Sequence, residues 1–238
     1  LDSSASANGD LYIDASTDGA VGGTLSIKAN GVITQNVDLA VTGITTLEAG
    51  GNAITLNRAG NNFATVIITS GRNVALRDAG AIGLGASTVS GTYDVTASGN
   101  IDDFGALVIT GLTTLAAGSG NDVTLDEASN NFQGGLIISS GTDVVLRATG
   151  AIELGAATVT GTYSVTAGGA ITQIGDLSIG GVTTLVAGGN AITLDRAGNN
   201  FATVIITSGG DVALRDAGAI ILGASTVTGT YTVQAAGA

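Results

Sequence analysis

The sequence predicts an all-β fold, a right-handed parallel β-helix (β-solenoid) whose coils take about 20 residues each. Three observations lead there. The chain repeats itself, with Asn61-Asn62-Phe63, Asn130-Asn131-Phe132 and Asn199-Asn200-Phe201 each standing 69 residues after the last. Its composition suits pleated strands: 39 Gly, 3% aromatic residues and no Pro, Cys, Met, Trp or His. Small and β-branched side chains fill sheets better than helix surfaces. A finer period also lies inside the long one.

That finer unit is a short strand, a Gly corner, a second strand ending in Ala or Asp, another Gly corner and a third strand. The first period contains "LAVTGITTLEAGGNAITL", "IITSGRNVALRDAGAIGL" and "STVSGTYDVTASGNIDDFG". The apolar centre of the second strand falls at Leu47, Leu76 and Val95, then Leu115, Leu146 and Val165, then Leu185, Leu214 and Val233. Three coils per repeat of about 69 residues is the expected count. The chain then reads as one continuous solenoid over residues 1–238, with a partial first repeat at 1–40 and tandem repeats at 41–108, 109–178 and 179–238.

Each part of the unit has a physical reason. Val74 and Leu76 alternate with Ala75 and Arg77, as do Val212 and Leu214 with Ala213 and Arg215, the period of a strand with one dry face. Rungs about 4.8 Å apart stack such residues into columns that no single coil could close. Gly permits the corner angles, and Asn or Asp beside it, as in Gly51-Asn52 and Gly210-Asp211, can bond the local backbone. Absence of Pro fits interior strands, whose N–H groups all donate.

Composition also removes chemistries. Without His or Cys there is no zinc site of the Cys/His type, no Ser-His-Asp triad, no thiol nucleophile and no disulfide. No enzyme, catalytic residue, cofactor or metal is expected. A net charge of −12 repels phosphate backbones and anionic lipid, so nucleic acid is not an expected partner. No apolar run is long enough for a membrane-inserted helix. The opening "LDSSASANGD" has neither an initiating Met nor a signal-peptide core, and the expectation is an excerpt of a longer chain or a filament subunit.

Several stretches resemble sites. "GSGNDVTLD" (residues 118–126) looks like one calcium-binding nonapeptide, but the equivalent turns "GGNAITLN" and "GGNAITLD" lack its Asp in the turn. Asp102-Asp103 could form a paired-carboxylate site of a polysaccharide hydrolase, yet the equivalent "AITQIG" carries no acid, and a solvated corner is expected. Thr-rich strands such as "TVTGTYTV" suggest an ice-binding array, which the mixed outward series Glu48, Arg77, Thr96, Ala116, Arg147, Thr166, Val186, Arg215, Gln234 does not sustain. Glu48 and Arg77 are expected on adjacent coils. Neither end shows a polar cap, so residues 11–15 and Tyr231–Ala235 should leave open rungs.

Every third coil is longer, at residues 57–65, 126–134 and 195–203. These stretches are expected to leave the wall and stand in a row on one side, about 14 Å apart. Their candidate partner-contact residues are Asn61, Asn62, Phe63, Asn130, Asn131, Phe132, Asn199, Asn200 and Phe201. Either the Phe rings fold back over Ile54 and Leu56 as a satellite core, or the Asn amides meet a glycan or a neighbouring fibre.

Tandem coils of this length, Gly-Asn corners and L-x-A strand ends resemble the filamentous-haemagglutinin-like adhesins of Gram-negative bacteria, exported by the two-partner route. The resemblance covers essentially the whole chain and implies a shaft region only, since the family's Asn-Pro-Asn secretion motifs cannot occur without Pro. It implies a structural segment of a secreted or cell-surface fibre that extends binding regions from a bacterium. Lack of Cys agrees with threading through an outer-membrane pore. Implied partners are glycans, a host or neighbouring cell surface, or copies of the chain itself. The alternative is a β-helix that binds or degrades polysaccharide.

Overall fold

The computed structural model of the chain describes residues 11–13 and 20–237. Among them are 27 strands and no helix, every ladder between strands being parallel. A parallel pair needs a long return path, and here the return is the rest of one coil. The result is a β-solenoid of about eleven turns.

One coil shows the plan. Val74–Asp78, Ile82–Leu84 and Ser87–Val89 form three sides, and the next coil repeats them as Tyr93–Ala97, Ile101–Asp103 and Leu107–Ile109. Each strand thus lies on the one three places earlier. On the first side Leu56, Leu76, Val95, Leu115, Ile138, Ala157 and Leu177 stack rung upon rung. All seven are buried. The strand phase is as the sequence predicts: in Val74–Asp78 the first, third and fifth residues point in and Arg77 points out.

Corners are tight because the rung below is so close. A Cβ on Gly111 would lie 2.5 Å from the carbonyl oxygen of Gly91, so glycine stands there for space. Positive φ is confined, among the described residues, to Gly50, Gly118, Gly120 and Gly188. The corner Asn residues use ordinary backbone angles instead, and Asn52, Asn121 and Asn190 each donate from Nδ2 to the carbonyl of Ala49, Ala117 or Ala187 at 2.8–2.9 Å.

The repeat holds three coils and one strand more. From Ile54–Leu56 to the equivalent Val123–Leu125 the chain makes ten strands, because Asn62–Ser70 spans two sides, residues 62–63 pairing with 40–41 and residues 65–70 with 44–48. Ten strands at three per coil is three and a third coils. The long step between Leu47 and Leu76 is therefore not a coil with an external excursion. Leu47 lies under Ile68, in a different column from Leu76.

Glu48 neighbours Lys28, to which it is ion-paired at 2.7 Å, and not Arg77. The expected row of loops on one side is also replaced. Phe201 stands on Ile179 in the first column and Phe132 on Ile109 in the third, whereas residues 61–65 lie beneath 79–83 in the second. Successive repeats face three directions.

At the far end, among the described residues, Tyr231–Ala235 pairs only with Val212–Asp216, and Leu222 and Tyr231 are exposed where their counterparts Leu84 and Tyr93 are buried. The N-terminal rung foreseen at residues 11–15 lies partly outside the described residues, as does "LDSSASANGD".

Candidate functional site

The recurring Asn-Asn-Phe stretch is the most elaborate polar feature of the wall. Only four residues before each motif leave it: 57–60, 126–129 and 195–198 are exposed, while the motif itself re-enters a strand. Phe63, Phe132 and Phe201 are buried in the one central core, not in a satellite over Ile54 and Leu56.

The first Asn of each motif is fully buried and bonded within the chain. Asn61 Oδ1 accepts from the Leu39 N–H at 2.9 Å and from Gln35 Nε2 at 2.7 Å, and its Nδ2 donates to Gln35 Oε1 and the Leu56 carbonyl. Asn199 repeats this with Leu177, Gln173 and Leu194. Asn130 accepts from the Leu107 N–H at 2.8 Å and donates to Asp103 Oδ2 at 2.6 Å. A buried amide with its donors and acceptors matched fixes a loop at no desolvation loss. The second Asn faces out: Asn62 and Asn200 are exposed and Asn131 is half-buried.

Each motif is also held by one buried carboxylate, which sequence reasoning missed. In the outer repeats it comes from the coil above: Asp78 accepts from the N–H groups of Phe63 (2.6 Å) and Gly80 (2.7 Å), and Asp216 from those of Phe201 and Gly218. In the middle repeat Ala148 and Thr149 replace the Asp-Ala pair, and the carboxylate moves to the coil below as Asp103. Asp103 also caps the N–H groups of Asp126 and Glu127. It is therefore no solvated corner, and Asp102-Asp103 is not a free pair of acids. Burial pushes both carboxyls up, most of all by desolvation, against the N–H donors of Phe63 and Gly80 at Asp78 and the Asn130 amide and loop N–H groups at Asp103.

A signal for these partners was present. Asp78 occupies the third inward position of its strand, after Val74 and Leu76, where an acid must have a structural partner. Gln35 and Gln173 each precede their Asn by 26 residues, and Asp103 by 27.

Other polar groups do similar work. Asp122, in the calcium-like turn, accepts from the Asp143 N–H at 3.0 Å, and Asp143 accepts from the Thr162 N–H and hydroxyl. Those bonds hold the Asp143 carboxyl below its usual range, and Thr230 does the same for Asp211. No cluster of acids that could hold a metal ion occurs among the described residues. The middle repeat also carries a shallow groove of about 330 Å³ lined by Asn131, Gln133, Ala151, Glu153 and Thr172 over buried Phe132 and Ile152.

Fold and networks together define a tandem-repeat parallel β-solenoid whose repeat is wired from within. The chain belongs to a family described as Repeats of unknown function (DUF5649), whose profile matches residues 4–70, 71–139, 141–208 and 209–238. Those segments cut the same period at another phase than 41, 109 and 179 do. No curated protein and no solved structure matches the chain.

Proposed function

We propose that this chain is a structural shaft, a segment of an extracellular bacterial surface fibre of the filamentous-haemagglutinin-like kind that extends or presents binding regions away from the cell. The observation that carries this reading is that the most conspicuous recurring polar groups are spent inside the wall: Asn61, Asn130 and Asn199 and the carboxylates of Asp78, Asp103 and Asp216 all bond the chain itself. Repetition here serves stacking, and stability accumulates coil by coil. Length and stiffness are then the product. Export to the surface of a Gram-negative cell rests on the resemblance of the coils and on the lack of Cys.

One observation favours the alternative, a polysaccharide-binding β-helix. Gln133 and Glu153 stand where the outer repeats have Ala64 or Ala202 and Gly83 or Ile221, and both line the middle groove. A glycan array with the wild-type chain and with Gln133→Ala/Glu153→Ala separates the two. The shaft reading expects no retention that the double substitution abolishes. Specific retention lost in the variant, or cleavage of any glycan, would replace it with the alternative.

A further inference from the structure

We infer that the repeat is an indexing unit: each copy added or removed changes the length by about 16 Å and turns everything beyond it by a third of a turn, with no strand losing its kind of neighbour. The basis is that stacking is set by sequence order. Every strand lies on the third one before it, on whichever side of the coil that falls. Ten strands per repeat is one more than a multiple of three, so the wall of each repeat is displaced by one side.

Excision shows why the chain tolerates this. Removing residues 101–170 takes out ten strands, from Ile101–Asp103 to Tyr163–Ala167, with Ile152–Val159 counted as two because residues 152–154 and 157–159 lie on different sides. Ile171 would leave Ile152 and settle on Ile82, and residues 177–179 would leave 157–159 for Ser87–Val89. Thr183 would leave Tyr163 for Tyr93, the residue that Thr113 covers in the full chain. In every case the new neighbour is the counterpart of the old. The clamps survive too, because Asp78 stays with Phe63 and Gln173 with Asn199.

The consequence concerns partners. A surface feature written once per repeat, such as the outward Asn of each motif, points in three directions in turn. A flat partner meets it on one side only every third repeat, after ten coils or about 48 Å. Repeat number therefore sets the azimuth of whatever lies beyond, as well as its reach.

Cysteines at Asp94→Cys and Thr184→Cys test this, and the chain has no other Cys to interfere. In the full chain the two positions lie thirteen strands apart, about 21 Å along the axis. With residues 101–170 removed they become neighbours on adjacent rungs. A short thiol–thiol crosslinker should join them in the deletion chain and leave the full chain unlinked. A second variant duplicates residues 101–170, carrying Ser164→Cys and, in the second copy only, Thr114→Cys; these should link as well. Linking in both variants with cooperative melting supports the inference. Absence of linking in either chain, a link in the undeleted parent, or loss of the β-sheet spectrum in both variants overturns it.

Discussion

Neighbouring asparagines in this chain have opposite duties. Asn199 points inward, where its amide serves the Leu177 N–H, the Leu194 carbonyl and Gln173; Asn200 points outward. Asn200 opens the strand Asn200–Ser208 with its side chain outward and Phe201 inward, and Asn199 faces in from the turn just before it. Asn199→Ala should strip the buried Leu177 N–H of its side-chain acceptor, at about 1–3 kcal/mol where water cannot reach it, and should also remove one partner from the Leu194 carbonyl and from Gln173, which keeps its bonds to the Gly175 carbonyl and the Arg196 N–H. Asn200→Ser should stay within about 0.5 kcal/mol of the parent, as surface changes usually do. Urea unfolding followed by far-UV circular dichroism measures both. Equal midpoints for the two variants would mean that the amide network holds nothing. The motif was legible in the sequence as a recurring polar stretch, but which Asn faces inward depends on strand phase, and the run that precedes it has no alternation from which to read one.

At the level of elements, the three loops show residues changing together. Arg58 donates to Asp38 at 2.8 Å across one rung, and Arg196 to Asp176 likewise. A Cβ on Gly60 or Gly198 would collide with that same Asp carboxylate. In the middle repeat the Asp is Ala106, the Arg is Glu127 and the Gly is Ser129, so all three positions have switched at once. Gly60→Ser should therefore destabilise the chain, and Asp38→Ala in the same molecule should recover most of the loss, because the exposed ion pair it removes is worth only about 0–1 kcal/mol. A double-mutant cycle reads this as a coupling of up to about 1 kcal/mol, because the Asp38 carboxylate is the free end of an exposed side chain that can swing aside once its pair with Arg58 is given up. Additive effects would show that the covariation has no steric basis. Strands, phase and corners were legible because alternation and Gly mark them. The tenth strand was not: residues 62–63 and 65–70 run on as Asn62–Ser70 without a Gly between, whereas in the middle repeat Gly134-Gly135 marks the same break.

For the whole molecule, about eleven coils give a rod near 50 Å long, with its charge of −12 spread along it. Its stability should depend on pH in two limbs. Asp78 and Asp103 have carboxyls raised above the ordinary 3.8, chiefly by desolvation. Between 3.8 and those raised values the folded chain holds more protons than the unfolded one, so stability falls as pH rises through that window. Asp143 and Asp211 are shifted the other way by their bonds from Thr162 and Thr230, so the unfolded chain holds more protons just below 3.8 and stability falls as pH drops there. The melting temperature should accordingly rise as pH is lowered from 7, pass a maximum in mild acid and then fall. Relief of general repulsion acts in the same direction on the neutral side, and substitution separates the two causes. In Asp78→Asn/Asp103→Asn the chain loses two buried charges, and also an acceptor at each site, so it should melt lower throughout while the neutral limb becomes flatter. A double variant whose neutral limb is as steep as the parent's would assign that limb to net charge alone and leave the two carboxylates with no part in it.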